Sequence, residues 1–90
     1  MVNAVEKPCG RDDLLYRALE DESIVLNPEA NTVHSLNTTA TVVWNNCDGK
    51  QNLQEITGKI VEKFDVSEAH AREDVRKLIN NFRELHLLKE

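Results

Sequence analysis

The 90-residue sequence predicts an α+β fold, a winged helix-turn-helix-like module in which a three-stranded antiparallel sheet is followed by three helices. Three observations lead there. The hydrophobic period is about 2 through residues 14–36 and changes to about 3.6 from Asn37 onward. Turn-forming residues separate the apolar runs of the first part, at 20–22 and 28–31. In the second part, short polar side chains stand ahead of each apolar stripe, at Asn37–Thr39, Asn52 and Ser67.

In chain order, residues 1–13 lack periodicity and contain Pro8 and Gly10, so a flexible N-terminal tail is expected ahead of a single domain at 14–90. Leu14 to Leu19 (LLYRAL) is compatible with a first strand, and Glu20-Asp21-Glu22 with a turn. Ser23 to Asn27 (SIVLN) is rich in branched side chains and reads as a second strand. Pro28 to Asn31 carries turn chemistry, with Asn able to tolerate positive φ. Thr32 to Leu36 alternates and reads as a third strand, completing a meander.

The stretch 36–49, LNTTATVVWNNCDG, turns sheet into helix. Ala40, Val43, Trp44 and Cys47 fall at i, i+3, i+4 and i+7, one stripe of a first helix from Thr38 to about Cys47. Asp48-Gly49 closes it, because Gly takes a left-handed conformation at little steric cost. Asn52 with Glu55 fits the reciprocal cap of a second helix, whose stripe is Leu53, Ile56, Ile60 and Phe64, widened by Val61. Ser67 caps a long third helix with Ala71, Val75, Leu78, Phe82 and Leu85 on one stripe and Ile79 beside it. Leu87-Leu88 is expected to run extended and pack back on the domain. The core is expected beneath the sheet, with Trp44, Phe64 and Phe82 as its bulky members.

Composition narrows the function. Hydrophobic residues make up 40% and charged residues 30%, a globular balance, and no apolar run is long enough to cross a membrane or serve as a signal peptide. A cytoplasmic protein without a membrane partner is expected. Cys9 and Cys47 form no disulfide framework, and together with His34, His70 and His86 they show no metal-ligand spacing. The net charge is −5, and residues 1–36 carry three bases against seven acids. A nucleic-acid binder gains affinity by neutralising phosphates, and this chain has no basic block to do so. No nucleic-acid partner is expected.

Catalytic machinery is equally hard to find. His34 and Ser35 are neighbours in a strand and point to opposite faces, so they cannot act together. Glu68, Glu73 and Asp74 are interspersed with Arg72, Arg76 and Lys77, which reads as surface pairing rather than an acid/base couple. The three glycines are scattered and form no phosphate loop. Binding is better supported: a three-stranded meander has two edges, and an open edge accepts an extended peptide. Thr32, Val33, His34, Ser35 and Leu36 would supply the main-chain hydrogen bonds. Asp74, Lys77, Leu78, Asn81, Phe82 and Leu85 on the third helix would wall the groove beside them, although spacing favours core positions for Leu78, Phe82 and Leu85.

The run from Val25 to Ser67, followed by EDVRKLINNFRELHLL, resembles the PqqD-like family. The likeness rests on the order and spacing of Leu36-Asn37, Ala40, Trp44, Asp48-Gly49, Glu55-Ile56, Ile60, Phe64-Val66, Asp74-Val75, Leu78, Phe82 and Leu87-Leu88, and covers about residues 14–88. This resemblance implies a recognition element for ribosomally made precursor peptides: a stand-alone peptide chaperone, not an enzyme, with no cofactor of its own. Its leader peptide would add as a strand at Thr32–Leu36, beside the exposed side of Asp74–Leu85, and pass to a modifying enzyme of the radical SAM or protease type. His34 and Ser35 stand where the family often carries an aromatic residue. Two other readings compete. A winged-helix DNA-binding module would need a basic third helix, and a dimerisation module would pair the same edge with a second copy; a monomer or weak dimer is expected.

Overall fold

The computed structural model describes residues 6–89. Three strands, β1 (Leu15–Leu19), β2 (Glu22–Asn27) and β3 (Thr32–Leu36), precede three helices, α1 (Thr38–Asn45), α2 (Leu53–Phe64) and α3 (Glu68–Glu84). The strands form an antiparallel meander in the order β1-β2-β3. The α+β architecture and every element expected from the sequence are present, with β3 at its expected bounds.

Local chemistry explains the punctuation. Between β2 and β3, Asn27 Oδ1 accepts from the Ala30 N–H at 3.3 Å and Asn31 takes φ +56°, completing the turn that begins at Pro28. The Asn37 side chain caps α1 by accepting from the Ala40 N–H at 2.9 Å. This helix stops at Asn45 rather than Cys47: the Cys47 N–H donates to the Trp44 carbonyl, three residues back instead of four, and the Asn46 side-chain amide takes the carbonyl of Val42. Gly49 does take the left-handed conformation, φ +78°, but in the link beyond the helix end. On α2, Asn52 and Glu55 form the reciprocal cap, each bond 2.9 Å. α3 ends in a Schellman motif: Leu87 N–H donates to the Phe82 carbonyl and His86 N–H to that of Arg83, with His86 left-handed at φ +60°. That reversal sends Leu87 and Leu88 into the core, where both are buried.

Helices cover one face of the sheet only. Ser23, Val25 and Asn27 of β2 are buried on the covered face, and α1 packs there. Cross-strand pairing puts His34 and Leu36 on that face and Ile24, Leu26, Val33 and Ser35 on the other. The remaining core lies between helices: Ile56 and Ile60 of α2 meet Ala71, Val75, Ile79 and Phe82 of α3, all essentially inaccessible. Phe82 also packs on Trp44 in a T-shaped pair, centroids 5.4 Å apart at 87°. Trp44 and Phe64 are half-buried and flank the core, whereas Phe82 fills its centre.

The flexible tail expected over residues 1–13 is corrected where it is described; residues 1–5 lie outside the described residues. Pro8–Arg11 crosses between the α1–α2 link and the end of the chain. Gly10 N–H donates to the Cys47 carbonyl and Gly49 N–H to that of Pro8; Arg11 N–H donates to the Leu87 carbonyl and Lys89 N–H to that of Cys9, all at 2.8–3.0 Å. Gly10 lies flat on the indole of Trp44, where a Cβ would stand 2.9 Å from a ring carbon. The Pro and Gly that suggest a loose segment instead serve a tightly seated strap.

Candidate peptide-binding site

β3 is an edge strand, paired to β2 on one side and open on the other among the described residues. Edge strands are usually defended by charge, proline or a covering element. β1, the other edge, contains Arg17 and is flanked by Asp12-Asp13 and Glu20-Asp21-Glu22. β3 reads TVHSL and carries no fixed charge, proline or glycine, and α3 packs on α1 and α2 rather than on the strands. The third strand is therefore the undefended edge.

Its C-terminal end is held rigid. The Ser23 and Thr41 hydroxyls lie 2.8 Å apart, and Thr41 donates to the Leu36 carbonyl at 3.3 Å, joining β2, the end of β3 and α1 through one buried network. Just beyond, a hollow of about 280 Å³ lies between the start of α1 and the middle of α3, lined by Asn37, Thr39, Asp74, Lys77 and Leu78. Leu78 is half-buried and gives this hollow an apolar wall. Asp74 lies 3.2 Å from the His70 ring nitrogen one turn back, and Lys77 lies 3.9 Å from Glu73.

The structure thus brings Asp74, Lys77 and Leu78 together with the residues that follow Leu36. The β3 side chains alternate as their pairing requires: Val33 and Ser35 exposed on the uncovered face, His34 half-buried on the helix side with its ring 3.1 Å from the Thr32 hydroxyl. Leu36 is buried in the core, so only its backbone is available to a partner. Asn81 is exposed and Leu85 half-buried at the end of α3. Phe82 is corrected: it is fully buried against Trp44 and cannot line a groove, as the spacing of its stripe had favoured. Asn37 and Thr39 line the hollow but are absent from the peptide-contacting residues expected from the sequence. The capping role of Asn37 is legible; the position of both residues opposite α3 depends on a long-range contact that local pattern does not encode.

The cations of α3 have acidic neighbours: Arg72 lies 3.5 Å from Glu68, Arg76 pairs with Glu73, and the half-buried Arg83 pairs with Glu6. Such a helix offers no uniform positive face to a phosphate backbone. Among the described residues no three His, Cys, Asp or Glu side chains gather as a metal site, and no helix is long and apolar enough to cross a membrane.

Comparison with known proteins places this geometry. The family model described as coenzyme PQQ synthesis protein D (PqqD) matches residues 22–88. Among solved structures, TbiB1 in complex with the TbiA(beta) leader peptide superposes with a TM-score of 0.81 at 18% identity, over 90% of this chain and 94% of that one. A lasso peptide synthetase B1 complexed with its leader peptide gives 0.81 at 13% identity, over 93% and 99%. The PqqD truncation of Methylobacterium extorquens PqqCD, described as a functional stand-alone recognition element, gives 0.77 at 18% identity, over 100% and 96%. No curated protein matches the chain. The shared fold is the three-stranded sheet followed by three helices, and the chain belongs to the PqqD family.

Proposed function

We propose that this protein is a leader-peptide-binding recognition element. It captures a ribosomally made precursor peptide by strand addition to β3 and presents it to a peptide-modifying enzyme of the radical SAM or protease type. The observation that carries the reading is the undefended β3 edge running into the hollow of Asn37, Thr39, Asp74, Lys77 and Leu78. Two of the similar structures are complexes with leader peptides, which supports the same use of this fold. Main-chain bonds along Thr32–Leu36 supply affinity, and the side chains of α3 supply selectivity. Recognition, not catalysis, is the role: the site offers an edge, one apolar wall and two charged side chains that already have neighbours.

The test is an NMR titration of the labelled protein with the leader segment of the precursor encoded beside its gene. Amide shifts are expected at Thr32–Leu36 and along α3 from Asp74 to Leu85. Leu78→Asp weakens binding about tenfold or more by placing a charge against an apolar peptide side chain. Shifts that leave both β3 and α3 untouched exclude the edge-and-groove reading.

A further inference from the structure

The sheet face turned away from the helices carries an apolar row that no described residue covers. Leu15 pairs with Leu26 and Leu26 with Val33, so the three side chains line up across the strands on that face. Leu15 is 58% exposed and Val33 62%, among the most exposed large apolar residues described. A hollow of about 150 Å³ between the row and the β2–β3 turn, at Pro28 and Asn31, adjoins it. Singly exposed apolar residues need no explanation, but a cross-strand row that stops at an open edge is a different feature.

Any strand added to β3, parallel or antiparallel, continues each cross-strand row by one residue. The added residue opposite Val33 stands on the uncovered face at the end of Leu15–Leu26–Val33; its neighbours in the peptide turn toward α3. Resting on the leader-peptide reading above, we infer that Val33 is a specificity-determining residue, selecting an apolar, branched or aromatic peptide side chain on the face away from the helices. The peptide is then read on both faces: beside α3 by Asp74, Lys77 and Leu78, and on the outer face by the apolar row. Ser35 offers no such continuation, since its row contains Ile24 and Arg17. Selection on the outer face is therefore concentrated at one peptide position.

The probe is a displayed library of random 12-residue peptides, selected against the full chain and against Val33→Lys. Val33→Thr serves as the conservative variant. Because Val33 is exposed on an edge, both variants are expected to melt with the parent. Peptides selected on the parent are expected to share one apolar position alternating with the α3-facing ones. On Val33→Lys that position alone should change to Asp or Glu, the cross-strand complement of Lys, and parent-selected peptides should bind about two- to fivefold more weakly. Selected peptides that shift the β3 amides but keep the same preference on both proteins overturn the inference and leave leader binding standing. Selected peptides that shift no β3 amide, or a library that yields no binder, overturn the leader reading and this inference with it.

Discussion

The buried hydroxyl pair at the β3–α1 junction gives the sharpest test of how the edge is held. Thr41 is 9% exposed and Ser23 1%, and their oxygens lie 2.8 Å apart. Thr41→Val preserves shape while removing the hydroxyl that bonds both Ser23 and the Leu36 carbonyl. The Ser23 hydroxyl is then left buried without its partner, which costs about 1–3 kcal/mol. For a domain of this size that corresponds to a fall in Tm of roughly 4–24 °C. The assay is thermal and urea unfolding by circular dichroism on the two single variants, Thr41→Val and Ser23→Ala, and on the double variant. Removing the second hydroxyl after the first relieves the stranded group, so the double variant should cost less than the two singles together, by about 1 kcal/mol. Amide exchange at Ser35 and Leu36 should rise in Thr41→Val, where the end of β3 loses its tie to α1, and much less in Ser23→Ala, which keeps the Thr41–Leu36 bond. A Tm shift below about 2 °C for Thr41→Val, or strict additivity in the cycle, would refute the claim that this pair fastens the strand.

Two further outcomes concern the strap and the core beneath it. Burial pushes the Cys47 thiol up to about 12 from its ordinary 9.0, with the charges of Asp48 and Cys9 adding to the effect. A group whose folded pKa is raised contributes stability that is complete below the unfolded value and is lost as pH climbs toward the folded one. The parent should therefore lose more stability than Cys47→Ala between pH 9 and pH 12; parallel pH profiles would show the thiol is not buried as described. Gly10→Ala drives a Cβ to 2.9 Å from the Trp44 ring, which also packs against the fully buried Phe82. A loss of about 1–3 kcal/mol is expected, with a red shift in the fluorescence of Trp44, the single tryptophan. Unchanged melting and emission would mean that Pro8–Arg11 does not seat on the ring.

How much of this was legible depends on the range of the interaction that fixes each part. Turns and caps are local, so Asn31, Asn52 with Glu55, and Ser67 announced themselves by residue type at short spacing. β3 was placed correctly because its alternation ends at a cap, Asn37, that fixes where the period changes. The strap is not legible, because Pro8 and Gly10 look the same in a loose tail and in a segment pinned by bridges 39 and 78 residues away. Phe82 and Leu78 share a helical stripe, and only the position of Trp44 decides that one fills the core while the other faces the hollow. Spacing gives the width of an apolar face but not the place where its neighbours stop.

That last point bears on the site itself. An open peptide groove requires a fold that stops packing early: α3 must be anchored firmly yet held off the β3 edge. Here the anchoring is done on the far side, by Ile56 and Ile60 of α2, and at the end of α3 by the Schellman turn that buries Leu87 and Leu88. The strap of Pro8–Arg11 then ties that end to the α1–α2 link. With α3 held from behind, its front face makes no contact with the sheet, and Lys77 and Leu78 line the hollow just beyond the end of β3, whose outer edge is unpaired among the described residues. In the proposed reading the groove is a consequence of where the core is satisfied, so variants that weaken the rear anchorage are expected to loosen leader-peptide binding without touching the peptide.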